Sequence, residues 1–380
     1  MKINVIGAST TEFGELWRIS PRQLARDAMT GALKDANKTP KDIDALFVGN
    51  MLAGMLGNQA NLGSFFSEEL GVNIPAFRIE AACASGGLAL HTAINGIVSG
   101  QYKTALVLGI EKMTDSSSDE VTAGLMAAGS EEERQAGLTF PGIYALMAQA
   151  YMQKYKISEE ILAGVSVKNH YHGSLNEKAQ FKRPIAIADV MNSGRIADPL
   201  KLLDCSPISD GASAVIVSGE TTKNQKQVYI SASEVGTDTL SLHDRDSFTT
   251  LPSVIRASQN AYKKLGMMPT DIDVAEIHDC FSIAEAIAVE DLGFSKKGEG
   301  ALDISKGKMT IGKGKIITNP SGGLKACGHP VGATGIKQIV EITQQLRGIA
   351  GAKQVKNAKV GLTHNVGGSG AIAVVHILQN

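Results

Sequence analysis

The chain has 380 residues, of which 43% are hydrophobic and only 5% are aromatic, and its formal net charge is -1. A chain of this length can bury a large core and is expected to form about two or three structural units. The near-zero charge gives no indication of a nucleic-acid-binding surface, and no apolar run approaches the roughly 20 residues of a membrane span.

The first residues and the cysteines bear on location. The segment Met1–Gly7 is predicted to start directly as a strand, without the apolar region or cleavage site of a signal peptide. The four cysteines, Cys83, Cys205, Cys280 and Cys327, lie far apart and form no CxxC pair. Neither a zinc site nor a disulfide framework is therefore indicated. The sequence predicts a soluble, cytoplasmic protein.

Strand-like and helix-like segments alternate from the start of the chain. Ile3–Gly7 is predicted as a strand, Arg22–Ala36 has helical spacing, and Ile43–Val48 is again strand-like. This alternation predicts an α/β fold with parallel strands.

The first chemically suggestive stretch is Glu80–Gly87, which contains Cys83. A predicted strand, Ile74–Ile79, precedes it, and Leu88–Val98 follows with apolar residues at helical spacing. A cysteine at such a turn faces a helix N-terminus, which favours thiolate over thiol. A lone cysteine is more often a small buried side chain, so its interpretation depends on the rest of the chain.

Two segments of the first half reappear in the second half. Residues 32–47 match residues 261–276, including the prolines at 40 and 269, and residues 210–217 resemble residues 369–376. The spacing between the two matches is shorter in the second half. The sequence therefore predicts a duplicated fold whose first half carries an insertion at about 115–200.

The predicted insertion has three parts. Ser116–Glu120 and Ser130–Arg134 are polar and predicted to be loop-like at their edges, whereas Tyr144–Tyr155 is predicted as a helical stretch that faces the core or a partner. The third part is mildly basic and contains Lys168, His170, His172, Lys178, Lys182, Arg183 and Arg195. Two interpretations of this third part stay open, a solvated surface or an anion-binding lip.

In the second half, the predicted strand Val274–Ile277 ends at His278-Asp-Cys280-Phe-Ser, and the helical run Ile283–Asp291 follows. Functional residues in α/β folds gather at the carboxyl ends of strands. Either residue alone is usually structural, so this pair is a candidate only in combination with others.

Two glycine-rich segments follow. Residues 319–335 surround His329 with glycines and prolines, ahead of the helix Ile336–Leu346, so the backbone there is predicted to be tightly held. A histidine in such a place can act as a base or a donor near neutral pH. Residues 363–371 form a predicted turn between the strands Lys359–Leu362 and Ile372–Ile377, with N–H groups that could hold an oxyanion. Neither segment matches a phosphate loop or a dinucleotide fingerprint.

Four motifs together resemble the active-site loops of the thiolase superfamily: Cys83 in Ala-Cys-Ala-Ser-Gly-Gly, His278-Asp-Cys-Phe, Gly328-His-Pro-Val-Gly-Ala-Thr-Gly and His364-Asn-Val-Gly-Gly. Residues 204–212 resemble the family segment that re-enters the first core domain. The resemblance spans essentially the whole chain. It implies an α/β thiolase fold with duplicated βαβαβαββ halves and two stacked five-stranded mixed sheets in αβαβα layers. It also implies core domains at 1–220 and 226–380, the first interrupted by a loop domain at about 115–200.

The motifs depart from common thiolases in two places. Those enzymes carry Asn-Glu-Ala-Phe where this chain has His278-Asp-Cys280-Phe, and a cysteine where this chain has Asn365. Sterol-carrier-protein-type and archaeal acetoacetyl-CoA thiolases share both departures, and the length of this chain is more similar to the archaeal type. Cys327 stands where a lysine or similar residue is expected, and the resemblance implies no role for it.

The resemblance implies an acetyl-CoA C-acetyltransferase, which joins two acetyl-CoA molecules through an acetyl-cysteine intermediate. It makes Cys83 the nucleophile and His329 its activating base, with the N–H groups of Cys83 and Gly367 as the first oxyanion hole. His278 and His329 would form the second oxyanion hole, and Cys280 would be the remaining acid/base, since Asn365 cannot act as one.

The resemblance also implies what the protein works with. No metal or redox cofactor is needed, because coenzyme A carries the acyl group, and Lys182 and Arg183 are candidates for binding it. A homodimer or homotetramer is implied, with the edge strand Ala76–Ala81 pairing between subunits. Related archaeal thiolases act in a complex with 3-hydroxy-3-methylglutaryl-CoA synthase and a small OB-fold bridging protein.

Three alternatives remain open on the sequence alone. A ketoacyl or 3-hydroxy-3-methylglutaryl-CoA synthase shares the fold and the nucleophile but would not need Cys280. A non-catalytic acyl-CoA-binding or scaffold protein would be expected to lose at least one catalytic residue. A longer-chain 3-ketoacyl-CoA thiolase would differ in the size of its acyl pocket.

Overall fold

The computed structural model describes residues 2–220 and 226–380. The first half contains β1 (Ile3–Thr10), α1 (Pro21–Ala36), β2 (Ala45–Gly49), α2 (Leu62–Leu70), β3 (Ala76–Ile79), α3 (Ser85–Val98), β4 (Thr104–Glu111) and, after the insertion, β7 (Gly211–Ser218). The insertion contains α4 (Ser118–Met126), α5 (Glu131–Gln135), α6 (Phe140–Tyr155), α7 (Glu159–Ser174), α8 (Ile187–Asn192), β5 (Arg195–Ala197) and β6 (Leu200–Lys201). The second half contains β8 (Tyr229–Thr237), α9 (Pro252–Leu265), β9 (Val274–Ile277), α10 (Ser282–Asp291), α11 (Gly300–Ser305), β10 (Ile317–Thr318), α12 (Gly323–Cys327), α13 (Val331–Arg347), β11 (Val360–Gly367) and β12 (Ile372–Gln379).

The two halves repeat one topology. In the first half the strands lie in the order β3-β2-β4-β7-β1, and in the second half in the order β10-β9-β11-β12-β8. Numbered within each half, both orders place the third strand at the edge, followed by the second, fourth, fifth and first. The predicted duplication of a βαβαβαββ unit is therefore confirmed.

The two predicted five-stranded sheets are also joined along one edge of each. The first strands of the two halves, β1 and β8, pair antiparallel through Ile3 with Ile230 and Asn4 with Tyr229, so the ten strands form one hydrogen-bonded mixed sheet. This junction pairs the edge that each half would otherwise leave open. Unpaired backbone groups at a sheet edge are unfavourable when buried.

Helices fill the space between the two halves and cover both outer faces. The central helices α3 and α13 pack on each other, and their apolar residues, such as Leu90 and Ile339, share a core with Val107 of the first half and Val274 of the second. Helices α1 and α2 cover the outer face of the first half, and α9 and α10 cover that of the second. This is the predicted αβαβα order of layers.

Helix α1 illustrates how local sequence sets the elements. The Ser20 side chain accepts a hydrogen bond from the Gln23 N–H, and Pro21 occupies the first turn, where its missing N–H costs nothing. The helix ends at Asn37 in the left-handed conformation. Among the described residues, no helix is both long and apolar enough to cross a bilayer.

The two polar stretches of the insertion, predicted to be loop-like at their edges, each contain the start of a helix. Ser117 caps α4 and Ser130 caps α5, and the carboxylates of Glu120 and Glu133 return to the N–H groups of these serines. Each is a capping box, in which a serine and an acidic residue three positions later satisfy free N–H groups at a helix start. The polarity of both stretches therefore reflects capping.

The basic segment of the insertion divides into buried and exposed parts. Lys168, His170 and His172 lie buried in α7, so for them neither a solvated surface nor an anion-binding lip is correct. The Lys168 ammonium forms an ion pair with the Glu285 carboxylate and donates to the Thr318 hydroxyl at 2.7 Å. The remaining basic residues of the segment, Lys178, Lys182, Arg183 and Arg195, are exposed.

Replacing Lys168 with methionine is expected to lower the free energy of unfolding by about 3–5 kcal/mol, because it leaves the buried Glu285 carboxylate without its charge partner. Urea denaturation of both proteins measures the difference. The control is Lys182→Met, which breaks an exposed ion pair with Glu12 and should cost at most about 1 kcal/mol. Equal losses in the two variants would contradict the buried pairing.

Candidate active site

Side chains from both halves and from the insertion line one cavity of about 180 Å³. Cys83 and Cys280 lie on its wall together with His329, and most of the remaining lining is apolar. The apolar residues include Met113, Leu125, Phe140, Tyr144 and Phe281. Three of the four predicted catalytic residues thus share one small, largely apolar cavity.

Cys83 sits on a tight turn just before α3. Ala82 adopts the left-handed conformation at φ +50°, which is unfavourable for a residue with a Cβ. Hydrogen bonds hold this turn: the Ala82 N–H donates to the Glu80 carboxylate at 2.6 Å, and the Ser85 hydroxyl donates to the Ala82 carbonyl at 2.6 Å. The turn therefore presents the Cys83 side chain to the cavity.

The Cys83 side chain rests as a thiol. Burial raises the pKa of Cys83 to about 12, and the carboxylates of Glu111 and Glu80 act in the same direction. Hydrogen bonds from the backbone of Gly368 and of Cys83 itself oppose the shift without cancelling it. The predicted preference for thiolate at the helix start is therefore outweighed by desolvation, and the thiol needs a base.

Two imidazoles meet beside this thiol. The reactive atoms of Cys83, His278 and His329 all lie within 4.8 Å of one another, and the two rings cross edge to face with centroids 5.1 Å apart. Burial and the Lys337 ammonium lower the pKa of His329 to about 3, and burial and the neighbouring His329 and His364 lower that of His278 well below its usual value. Both rings are therefore neutral, and each can accept or donate one proton.

Cys280 follows the end of β9, where the sequence predicted it. Its backbone carbonyl accepts the Ser206 N–H at 2.9 Å, which ties it to the segment that re-enters the first half. Burial raises the pKa of Cys280 well above its usual value, whereas a hydrogen bond with Tyr144 lowers it. Cys280 is therefore also protonated before the reaction begins, and the phenol of Tyr144 is its polar neighbour.

The carboxylate of Asp279 connects the loops that carry the site. It accepts the Leu324 N–H at 2.6 Å, the Lys325 N–H at 3.2 Å and the Asn169 amide at 2.6 Å. These bonds join the His278–Cys280 loop to α12, which leads into His329, and to α7 of the insertion. Asp279 thus contributes to the relative placement of three parts of the site.

The final glycine-rich loop is shorter than predicted. Strand β11 continues to Gly367, which pairs with Ile372 of β12, so His364 and Asn365 lie in the strand and not in the turn. The structure places the Gly368 backbone against the Cys83 thiol, one residue beyond Gly367. Gly367 stays a prediction as an oxyanion donor.

Two residues of the site were not identified as functional from the sequence. The Tyr144 hydroxyl donates to the Gly368 carbonyl at 3.1 Å, and its ring packs on Phe281 with centroids 4.6 Å apart. Asn365 donates to the Cys83 carbonyl at 2.9 Å. Helical periodicity indicated that Tyr144 belongs to a packed helix, but nothing in the sequence connects it with a loop more than two hundred residues away.

The predicted coenzyme A contacts do not reach this cavity. Lys182 and Arg183 are exposed and do not line it, and the Lys182 ammonium pairs with Glu12. Cys327 is buried outside the cavity, with the Asn176 amide 3.6 Å from its sulfur. Two positions earlier in the chain, the Lys325 ammonium donates to the carbonyls of Leu203 and Cys205.

A cysteine thiol beside a neutral imidazole, with backbone N–H groups facing the sulfur, is the arrangement of an enzyme that forms a covalent acyl intermediate. Residues 3–221 match the family profile described as Thiolase, N-terminal domain, and residues 235–380 match that described as Thiolase C-terminal domain-like. The chain belongs to the thiolase family.

Individual relatives agree with this assignment. The chain is 48% identical to an acetyl-CoA acetyltransferase of Methanothermobacter thermautotrophicus, with 99% of each chain covered. It is 34% identical to human sterol carrier protein 2, over 98% of this chain and 71% of that protein. Among solved structures, the Ltp2-ChsH2(DUF35) aldolase superposes with a TM-score of 0.87 at 25% identity, covering 100% of this chain and 97% of the other. The predicted resemblance to archaeal and sterol-carrier-protein-type thiolases is confirmed.

Proposed function

We propose that this protein is an acetyl-CoA C-acetyltransferase, which catalyses the reversible condensation of two acetyl-CoA molecules to acetoacetyl-CoA and free CoA. The observation that carries the proposal is the grouping of the reactive atoms of Cys83, His278 and His329 within 4.8 Å; Cys83 and His329 also line the cavity that contains Cys280. The full-length similarity to an archaeal acetyl-CoA acetyltransferase supports the same activity.

The first half-reaction acetylates Cys83. His329 takes the thiol proton as the sulfur attacks the thioester carbonyl, because the raised pKa of Cys83 disfavours a free thiolate in the resting site. Backbone N–H groups, among them those of Cys83 and Gly367, hold the oxyanion. The CoA thiolate then leaves and takes a proton from Cys280, which becomes the thiolate.

The second half-reaction forms the carbon–carbon bond. The Cys280 thiolate removes a proton from the methyl group of the second acetyl-CoA, and N–H groups of His278 and His329 stabilise the enolate oxygen. The carbanion attacks the acetyl carbonyl on Cys83, and the sulfur leaves with the proton returned by His329. The protein is then back in its starting state, and no metal or redox cofactor enters the scheme.

The two histidines have unequal duties in this scheme, so their removal should have unequal effects. We expect His329→Ala to slow both acetylation of Cys83 and condensation, whereas His278→Ala should mainly slow condensation and thiolysis. Each lost donor should cost about 10²–10³ in rate, which single-turnover kinetics can resolve. Thermal unfolding must first show that both variants fold. Equal loss of acetylation in both folded variants would mean that these roles are wrongly divided.

The longer-chain alternative depends on the acyl pocket. The rings of Phe140, Tyr144 and Phe281 border a cavity of only about 180 Å³, which favours an acetyl group. Thiolysis rates for acetoacetyl-CoA and for its longer 3-ketoacyl homologues test this directly. We expect the rate to fall as the chain lengthens, and faster cleavage of the longer homologues would favour the alternative.

Further parts of the proposal concern assembly and organisation. We infer a homodimer or homotetramer that uses β3, an edge strand of the sheet on which Phe77 is 41% exposed. A complex with 3-hydroxy-3-methylglutaryl-CoA synthase and an OB-fold bridging protein, a cytoplasmic location, and CoA contacts by Lys182 and Arg183 remain proposals. So does the division into core domains 1–220 and 226–380 with a loop domain at about 115–200. Light scattering of the purified protein tests the oligomeric state.

A further inference from the structure

The two histidines of the site differ in what the Nδ1 atom of each ring contacts. His278 Nδ1 faces the Asn365 amide nitrogen at 3.4 Å, whereas His329 Nδ1 faces the Thr334 hydroxyl at 2.8 Å. A neutral imidazole carries one proton, and the contact made by one nitrogen decides whether the other donates or accepts. Asn365 therefore determines which nitrogen of His278 carries the proton, and Thr334 does the same for His329.

Two backbone groups fix the orientation of the Asn365 amide. The Gly87 N–H donates to its Oδ1 at 3.1 Å, and its Nδ2 donates to the Cys83 carbonyl at 2.9 Å. A flipped amide would place oxygen against oxygen and N–H against N–H. The second hydrogen of Nδ2 is therefore the one that points to His278, so His278 Nδ1 accepts and the ring proton is on Nε2.

The same reasoning gives the opposite result for His329. The Thr334 hydroxyl donates its only hydrogen to the Pro330 carbonyl at 3.0 Å. Its oxygen must then accept from His329, so the His329 proton is on Nδ1 and Nε2 carries a lone pair. That lone pair is what a base for the Cys83 thiol requires.

We propose that Asn365 is a positioning residue that holds His278 as an Nε2–H donor, in the tautomer opposite to that of His329. His278 Nε2 is buried and has no hydrogen-bond partner among the described residues, so its N–H is free to bind an oxyanion. The functional meaning of this tautomer rests on the proposed function, in which His278 stabilises an enolate oxygen. An amide suits this position because one side chain both accepts from Gly87 and donates to Cys83 and His278.

NMR of ¹⁵N-histidine-labelled protein tests the tautomers in the resting state. The chain has eight histidines, and the His278→Gln variant identifies the His278 signals by their loss. We expect His278 to show a protonated Nε2 and an unprotonated Nδ1. In Asn365→Asp the side chain still accepts from Gly87 but has no hydrogen for His278, so His278 Nδ1 should gain a proton and its unprotonated signal should be lost. The control Thr334→Val should leave the His278 signals unchanged.

A proton on Nδ1 of His278 in the unmodified protein, or His278 signals that are unchanged in Asn365→Asp, would overturn the proposal. A kinetic comparison adds a functional readout. His278→Gln keeps an N–H donor and should retain exchange of acetyl-CoA methyl protons within about tenfold, whereas His278→Ala should lose about 10²-fold. Equal losses in the two variants would contradict a donor role. Because the NMR result needs no turnover, failure of the proposed acetyl transfer would leave the tautomer test intact.

Discussion

Replacing Cys83 with alanine is expected to abolish acetylation of the protein by acetyl-CoA and to lower turnover on the order of 10⁴-fold or more. The reason is chemical: the acyl group moves through a covalent bond to this sulfur, which lies within 4.8 Å of a ring nitrogen of both imidazoles. Intact-mass spectrometry after incubation with acetyl-CoA measures the effect. The unmodified protein should gain one acetyl group per chain.

The matched control is Cys327→Ala, which removes a cysteine that is buried outside the cavity. This variant should be acetylated to the same extent as the unmodified protein, provided that it folds. Acetylation of the Cys83→Ala protein at the normal level would place the nucleophile elsewhere.

Replacing Cys280 with serine is expected to separate the two half-reactions. A serine hydroxyl has a similar size but ionises far less readily, so the group that removes the methyl proton is lost. Exchange of acetyl-CoA methyl protons with deuterated solvent should fall by about 10²–10⁴-fold, while Cys83 should still become acetylated. Cys280 lies on the wall of the cavity that Cys83 and Tyr144 also line, which is why proton transfer is assigned to it.

The comparison variant for this experiment is Cys205→Ser. Cys205 also lines the cavity, but its sulfur faces the Lys201 carbonyl at 3.4 Å, and it has no assigned role in the reaction. Proton exchange should persist in Cys205→Ser. If exchange also survives undiminished in Cys280→Ser, another group is the base.

The sequence predicted structure best where the residues of a single strand or helix determine its bounds. The strand Val274–Ile277 has the predicted bounds, because this short and mostly apolar stretch lies between the polar residues Asp273 and His278. The duplicated halves were recognisable because matching residues, such as Pro40 and Pro269, occupy the same place before a strand in each half.

The predicted start of α13 is wrong because of the glycines in its first turns. The helix starts at Val331 and not at Ile336 as predicted, since the glycines at its start were interpreted as loop residues. They serve packing instead: a Cβ on Gly332 would lie 2.7 Å from the Gly49 carbonyl oxygen, and one on Gly335 would lie 2.2 Å from the Asn365 side chain. Gly332 lets the helix approach the end of β2, and Gly335 lets it approach Asn365 and the backbone of Gly87; only the tertiary structure shows these contacts.

The remaining features of the site depend on contacts between distant segments. Burial outweighs the helix-start effect on Cys83, and the extent of burial is set by residues from both halves. The bonds of Asn365 to Cys83 and His278 likewise join positions far apart in the chain. The motifs could therefore predict the identities of the reacting groups but not their protonation states.

The central claim is most directly tested by incubating the purified protein with acetoacetyl-CoA and free CoA and measuring acetyl-CoA by chromatography. The account predicts two molecules of acetyl-CoA for each acetoacetyl-CoA consumed, with no product from the Cys83→Ala protein. Folded protein that consumes no acetoacetyl-CoA, or an equal yield from the alanine variant, would contradict it.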